Sequence, residues 1–196
     1  MALLDISMVT QALIALIRES FNLSPAWSTA PPTISPEPPD RVNGDGLGFY
    51  LYHISEDAHY KNLPSSGNGT PPVRYVPMAL NLFYQLSASS SANDGSGALL
   101  EQQMMGIAIK AFHDYPSIND TTTINGTTIF PALLRGSNNC MKIVLQPVLP
   151  NEAVNYWTAG TSSLNLAAYY QVYVILLEPE QIQSRSGRVL AYGVHT

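Results

Sequence analysis

The sequence predicts an α+β fold in which a mixed, mainly antiparallel sheet of about four or five strands is flanked by helices. Residues 5–21 and 98–115 place apolar side chains at steps of three and four, the spacing of one helix face. Residues 47–54, 77–88, 141–148 and 166–177 are predicted strands, several of them with clear alternation. The 196 residues fit one domain, which we assign to residues 1–180, with residues 181–196 as a C-terminal tail.

The first predicted helix begins near Asp5, whose carboxylate is placed to cap the first turn. Six prolines then occur between Pro25 and Pro39, so this stretch cannot continue the helix. We predict an extended connection leading into the first strand. A short helix is expected over residues 150–159, where we expect Trp157 to pack against the tyrosines of the last strand.

The second predicted helix is apolar over a wider arc than one sheet face needs. Its apolar residues cover about half of the helix circumference. The excess predicts a helix between its own sheet and another layer, which is either the first helix or a neighbouring subunit. The residues concerned are Leu100, Met104, Met105, Ile107, Ala108, Ile109, Ala111 and Phe112.

Alternation within the predicted strands assigns side chains to faces. In residues 77–88 the leucines and Tyr84 share one face, which requires a cover. In the last strand Tyr169 and Tyr173 are expected on one face. Its other face is expected to carry Tyr170, Val172, Val174 and Leu176.

Charge is sparse in this chain. Hydrophobic residues make up 45% of it and charged residues 12%, against about 25% in typical soluble domains. A partner protein that buries part of the surface is one explanation, and uncharged polar residues supply the rest of the cover. The formal net charge is −5 and the nine Lys and Arg residues are scattered, which argues against nucleic-acid binding.

The single cysteine, Cys140, excludes an intramolecular disulfide and fits a reducing compartment, and we expect its side chain to be buried. No signal peptide and no run of about 18 apolar residues is seen, so membrane insertion is not expected. These features predict cytoplasmic assembly.

No motif indicates catalysis, a metal site or a cofactor. His53, Glu56, Asp57 and His59 lie within seven residues but lack the spacing of a zinc site. His113 at the end of the second helix is expected to interact with the helix C-terminus instead of acting as a base. Glycines 44, 46 and 48 precede a strand and not a helix, so they do not predict a phosphate-binding loop.

Several motifs in order resemble a known family. The chain has an N-terminal helix, an aromatic strand, a Pro-Pro segment with Arg74 before a long strand, and a helix with Met105 and Gly106 that ends before Pro116. A short helix with Trp157 and a tyrosine-rich strand follow. This order resembles the tail-terminator or cap proteins of extracellular contractile injection systems, including antifeeding-prophage-like particles. The matching segments are residues 49–52, 71–77, 80–86, 101–116, 153–159 and 169–174.

The resemblance implies a structural protein and not an enzyme. It implies a six-fold ring of identical subunits at the end of an inner tube, in contact with the last sheath ring. Such a ring would end tube growth and anchor the sheath in a phage-tail-like particle. The partners implied are a second copy of the chain, the tube protein and the sheath protein.

Interface residues follow as hypotheses. Met105 and Ile109 are predicted near a subunit boundary because of the wide apolar arc of the second helix. The tail is predicted either to add a strand to a partner's sheet or to form an edge strand of its own sheet. The tail residues predicted to contact a partner are Arg185, Arg188, Leu190 and Tyr192.

Two other functions remain open from the sequence. One is a baseplate or tube-associated assembly protein of the same kind of particle. The other is a small hydrolase that uses His113, Asp114 and a nearby serine.

Overall fold

The computed structural model describes residues 5–61, 73–74, 78–92, 94–132, 135, 140–149, 152, 165–177 and 182–184. Its helices are α1 (Ser7–Leu23), the single turn α2 (Ala58–Lys61), α3 (Gly95–Asp114) and a 3-10 turn, Pro39–Arg41. Its strands, in chain order, are β1 (Thr33–Ser35), β2 (Gly46–Glu56), β3 (Val73–Arg74), β4 (Met78–Ser89), β5 (Ser117–Asn119), β6 (Thr123–Ile124), β7 (Thr127–Thr128), β8 (Cys140–Leu145), β9 (Ala167–Leu177) and β10 (Ile182–Ser184).

The main sheet has six strands in the order β1-β2-β4-β9-β8-β5. β1 pairs with β2 in parallel, and every other pair in this sheet is antiparallel. The predicted mixed, mainly antiparallel sheet is therefore confirmed. Two three-residue edge strands, β1 and β5, extend it beyond the predicted strands. β1 lies within the proline-rich connection. This connection is extended, and an extended chain that runs beside a sheet edge can form ladder hydrogen bonds with it.

Both long helices cover the same face of the sheet. α3 packs against α1 and against β4 and β2, so the extra apolar surface of α3 is covered by the first helix, one of the two predicted layers. The aromatic centre of this core links sheet and helix. Phe49 stacks on Tyr84 at 4.5 Å between ring centroids, and Phe112 from α3 contacts Phe49 at 5.5 Å and Tyr170 at 4.7 Å.

Two β-bulges change the faces that simple alternation assigns. In β2 the register shifts between Leu51 and His53, which places Ile54 opposite Leu82 on the helix-covered face. In β9 the register shifts after Val172, so the next residue turned into the core is Ile175. The prediction that residues at even positions continue this face beyond Val172 is therefore wrong. A single extra residue reverses every side chain that follows it.

Exposed carboxylates fix the helix starts and one loop. The Asp5 carboxylate accepts from the Ser7 backbone N–H in the first turn at 2.8 Å, although the N-cap position of α1 is the next residue, Ile6. Asp94 accepts from the backbone N–H groups of Ser96 and Gly97 at the start of α3. Asp45 accepts from the N–H and hydroxyl of Ser91, which ties the loop before α3 to the start of β2. Hydrogen bonds from these serines lower the pKa of each carboxyl.

Two buried tyrosines of the core differ in whether their hydroxyl is hydrogen-bonded. The Tyr84 hydroxyl lies 2.9 Å from the Thr10 hydroxyl of α1. The Tyr170 hydroxyl has no hydrogen-bond partner among the described residues. Burial raises the pKa of both tyrosines to about 12. Both rings therefore stay neutral at neutral pH, but only one hydroxyl contributes a hydrogen bond to the core.

We expect Tyr170→Phe to raise the free energy of unfolding by about 1 kcal/mol, because it removes a buried hydroxyl that lost its water without gaining a partner. Tyr84→Phe should lower it by about 1 kcal/mol, because the Thr10 hydroxyl then loses its partner. Urea unfolding followed by circular dichroism measures both changes. Equal losses in the two variants would contradict this expectation and show that the Tyr170 hydroxyl is hydrogen-bonded in solution.

Candidate assembly surface

Residues 53–59, which contain the four possible metal ligands considered from the sequence, make contacts within the folded chain. The His53 ring lies 5.3 Å from the Phe83 ring, measured between centroids. The Asp57 carboxylate accepts from the His59 backbone N–H at 2.9 Å and from the Asn81 side chain at 3.3 Å. In the part of the chain that the structure describes, no group of three or more His, Cys, Asp or Glu side chains is arranged to hold a metal ion. Asp57 therefore links the end of β2 to the following turn and to β4.

The residues considered for hydrolysis lie at the end of α3. His113 is exposed in the last helical turn, where its charged form would interact favourably with the helix C-terminus. Ser117, three residues after Asp114, has its hydroxyl 3.0 Å from the Cys140 thiol. Cys140 is exposed, so the expectation of a buried cysteine is wrong. The reason is its place on β8, where Met141 and Ile143 occupy the inward positions.

Two glycines within β2, Gly46 and Gly48, allow close packing of neighbouring chain segments. A Cβ atom on Gly46 would lie 2.7 Å from the carbonyl oxygen of Thr33 in β1. A Cβ atom on Gly48 would lie 2.8 Å from the Ser87 hydroxyl and 2.9 Å from a Val42 methyl group. Because glycine has no Cβ atom, the loop that contains Val42 can cover one end of the sheet on the face opposite the helices. Gly46 and Gly48 therefore have a packing function within β2.

The predicted interface residues have different positions. Met105 is 3% exposed and belongs to the core, so its substitution by Asp would bury a charge and destabilise the chain itself. Ile109 is half-buried at the margin of the core and remains available as a contact residue. Placement of either residue at a subunit boundary stays a prediction. Arg185, Arg188, Leu190, Tyr192 and Trp157 lie outside the described residues.

The start of the C-terminal tail pairs within its own chain. Ile182 pairs with Arg74 and Ser184 with Val73, and together β10 and β3 form a separate two-stranded antiparallel sheet. The start of the tail therefore pairs within its own chain, as in the second of the two alternatives predicted for it. The strand that it forms belongs to this separate sheet and not to the main sheet. The assignment of residues 181–196 as a separate, partner-binding tail stays a prediction.

Aromatic and amide side chains occupy the sheet face opposite the helices. The Tyr52 ring lies 6.4 Å from Phe83 and 6.0 Å from Tyr169 between centroids. Gln85 donates a hydrogen bond to the Tyr169 hydroxyl at 3.3 Å. Tyr52 and Phe83 remain partly exposed. Uncharged surfaces rich in tyrosine and phenylalanine are typical of protein–protein contact sites.

Exposed large apolar side chains cluster at two corners of the main sheet. Seven of the nine found in the described residues lie there, which is more than single scattered residues would give. The first corner, where β2 ends and β4 begins, holds Ile54, Tyr60 and Met78. The second corner lies diagonally across, where β8 ends and β9 begins. It holds Val144, Leu145, Leu149 and Leu166.

The exposure of these corner residues was not predicted from the sequence. One signal was available in the segment around β8, where Val144 and Leu145 are apolar at successive positions and so occupy both faces of a strand. A strand at the centre of a covered sheet shows that pattern, but β8 is second from the edge and is bordered by a strand of only three residues. The strand order was needed to recognise the exposure.

No helix within the described ranges has the length and apolar character required to span a membrane.

Comparisons with known proteins agree with this fold. The chain is similar to the PVC sheath/tube terminator of an extracellular contractile injection system in the extended state. The TM-score is 0.63 at 18% identity, covering 100% of this chain and 64% of that one. It is also similar to the anti-feeding prophage cap, a tube-terminating cap, with a TM-score of 0.58 at 15% identity, covering 96% of this chain and 60% of that one. The chain thus spans less than two thirds of either protein.

No curated protein sequence matches the chain. The family described as the Pvc16 N-terminal domain matches residues 8–191, which is nearly the whole sequence. The helix-covered mixed sheet carries the fold shared with the two solved structures. The chain therefore belongs to the Pvc16 N-terminal domain family.

Proposed function

We propose that this chain is a structural cap of a contractile injection particle. Six copies form a ring at the distal end of the inner tube. The ring occupies the surface to which the next tube subunit would add and so ends tube growth. It also holds the last sheath ring in place.

The observation that carries this proposal is the likeness to a sheath/tube terminator over 100% of the chain, together with family membership over residues 8–191. The same fold in two tube-terminating proteins makes termination the function that this architecture supports best.

The surface of the chain supports an assembly function independently. Charged residues are only 12% of the sequence, so little of the surface is strongly hydrated. The two apolar corners lie at opposite edges of the sheet and differ in composition. A cyclic ring needs two such different contact surfaces on every subunit, whereas a two-fold dimer needs only one.

The particle is proposed to assemble in the cytoplasm and to be released afterwards as a phage-tail-like assembly. Its partners are the chain itself, the tube protein and the sheath protein. Neither nucleic acid nor membrane insertion has a part in this function. We propose no catalytic activity.

Tube assembly tests the proposal directly. Tube and sheath proteins of the same particle are polymerised with and without the chain, and tube lengths are measured by electron microscopy. We expect tubes of limited length with a ring at one end when the chain is present, and continued growth when it is omitted. Averaged end-on views of the ring give the number of subunits.

The alternatives predict different images. A baseplate protein would appear at the opposite end of the tube, and a tube-associated protein would appear along its length. A hydrolase would leave the tube length unchanged and bind no tube end. Any of these three results would contradict termination.

A further inference from the structure

Two Asn-Gly pairs on the surface differ in backbone conformation. They are Asn43-Gly44, in the loop before β2, and Asn125-Gly126, between β6 and β7. All four residues are exposed. Both glycines have a φ of 76°, and a Cβ atom on either would meet nothing within 4 Å in the described part of the chain. The two glycines are therefore equally accessible, and the pairs differ in how the asparagine is held.

An asparagine that precedes a glycine can react with its own backbone. The glycine nitrogen attacks Cγ of the asparagine, the bond from Cγ to the amide nitrogen breaks, and ammonia leaves with the proton of the glycine N–H. Water then opens the five-membered imide at either carbonyl, which gives aspartate or isoaspartate. Glycine favours the attack because it has no Cβ atom to crowd its nitrogen. The reaction consumes water, releases ammonia and needs no other reactant.

The hairpin between β6 and β7 holds Asn125 in a conformation that prevents this attack. Asn125 has a φ of 50°, and the ladder pairs Thr123 with Thr128 and Ile124 with Thr127 on either side of the turn. In the left-handed conformation ψ is about +47°, which turns the next nitrogen away from the Cβ atom of the same residue. Ile124 is 2% exposed and fixes the hairpin to the core. Asn125 can therefore react only when the hairpin opens.

Asn43 is not restrained in this way. Among the residues that the structure describes, Asn125 alone has a positive φ without being a glycine, so Asn43 is not left-handed. Asn43 lies between the 3-10 turn that ends at Arg41 and the strand that begins at Gly46, outside both elements. Its side chain donates an exposed hydrogen bond to the Arg41 carbonyl at 3.2 Å, which water can replace. Rotation of the Asn43 backbone therefore brings the Gly44 nitrogen to Cγ without breaking a strand ladder.

The loop around Asn43 is anchored on both sides. Val42 packs so closely on Gly48 that a Cβ atom there would lie 2.9 Å from a Val42 methyl group. Asp45 accepts hydrogen bonds from the backbone N–H and the hydroxyl of Ser91. Isoaspartate at position 43 would add one backbone atom and a negative charge between these anchors. Aspartate would add the charge alone.

We propose that Asn43 deamidates spontaneously in the folded chain and that the hairpin protects Asn125 from the same reaction. Isoaspartate at position 43 then strains the contacts of Val42 and Asp45 and loosens the loop before α3. This inference is independent of the proposed ring, because both reacting groups belong to one chain.

Ageing of the purified chain in mildly alkaline buffer tests the proposal. Peptide mass spectrometry with fragmentation that separates isoaspartate from aspartate measures each site. In the folded chain Asn43 should react at least about tenfold faster than Asn125, because Asn125 reacts only in the small fraction of molecules whose hairpin is open. In urea-unfolded chain the two rates should become similar. Equal rates in the folded chain, or no reaction at Asn43 while the unfolded chain reacts, would overturn the proposal.

Ile124→Ala tests the protection that the hairpin gives. Loss of the buried side chain raises the fraction of open hairpin, so the rate at Asn125 should rise by about threefold or more. Asn43 in the same molecules is the internal reference and should keep its rate. An unchanged rate at Asn125 would overturn the protection. If circular dichroism shows that the variant is unfolded, the unaltered chain in urea below its unfolding transition replaces it, and the rate at Asn125 alone should rise with urea.

Thermal unfolding tests the effect on the loop. A chain aged until Asn43 is converted should melt about 2–4 °C below the fresh chain, the shift that a small loss of stability gives a chain of this length. Fresh Asn43→Asp carries the charge without the extra backbone atom and should melt close to the fresh chain. Asn43→Gln, aged in parallel, controls for changes elsewhere and should keep its melting temperature. An aged unaltered chain that melts like aged Asn43→Gln would overturn the effect on the loop.

Discussion

Replacing Phe112 by alanine should lower the free energy of unfolding by about 3–5 kcal/mol, the usual range for a buried phenylalanine. The Phe112 ring is almost fully buried and contacts both Phe49 and Tyr170, so it joins α3 to the central strands. An alanine at this position would leave a cavity between these rings. Denaturant unfolding of the purified chain gives the difference directly.

Ile109→Ala is the matched control for this prediction. Ile109 lies on the same helix, one turn before Phe112, but is only partly buried at the edge of the core. We expect a loss of about 1 kcal/mol or less, because less apolar surface leaves water there. Similar losses in both variants would contradict the difference in burial between Phe112 and Ile109. If Ile109→Ala also weakens formation of the proposed ring, the predicted subunit boundary gains support.

The main elements of this fold were predictable because each long segment has a clear period. α3 shows helical spacing over 20 residues, and β4 places Leu82, Tyr84 and Leu86 on one face of a 12-residue strand. Three-residue strands such as β1 and β5 have no period of their own. Their pairing depends on the edge that the longer strands provide, so local sequence does not contain the signal.

Bulges set the other limit of sequence-based prediction. The extra residue in β9 lies between Val172 and Ile175, and nothing in the local run of valines and tyrosines identifies it. The same holds for Tyr52 in β2, where the register shift turns Ile54 toward the helix-covered face. Ile54 belongs to an exposed corner. This candidate contact surface could therefore be identified only from the strand pairing together with the sequence pattern. Met105 differs from Ile54 in this respect. It is an apolar residue on a wide helical arc, and α1 and the sheet cover it within the core.

Gly97→Ala should destabilise the chain by about 1–3 kcal/mol, the usual cost of forcing extra volume into a packed site. A Cβ atom on Gly97 would lie 2.0 Å from the carbonyl oxygen of Ala92, a distance that requires the backbone to move. The loop cannot move freely, because Asp45 holds it through Ser90 and Ser91. Thermal unfolding followed by circular dichroism measures the loss.

Gly106→Ala, in the same helix, should have the opposite effect. A Cβ atom on Gly106 would meet nothing within 4 Å, and alanine favours the helix over glycine by roughly 0.5–1 kcal/mol. We therefore expect a small rise in the melting temperature of Gly106→Ala and a clear fall for Gly97→Ala. A fall for both would show that glycine flexibility, and not the Ala92 contact, is what α3 requires. Gly106 lies three residues before Ile109 on a neighbouring part of the helix surface. Formation of the proposed ring by the stabilised variant therefore also tests whether this surface meets another subunit. Impaired assembly by a more stable chain would place a close backbone contact there, and unchanged assembly would place the subunit contact on another surface.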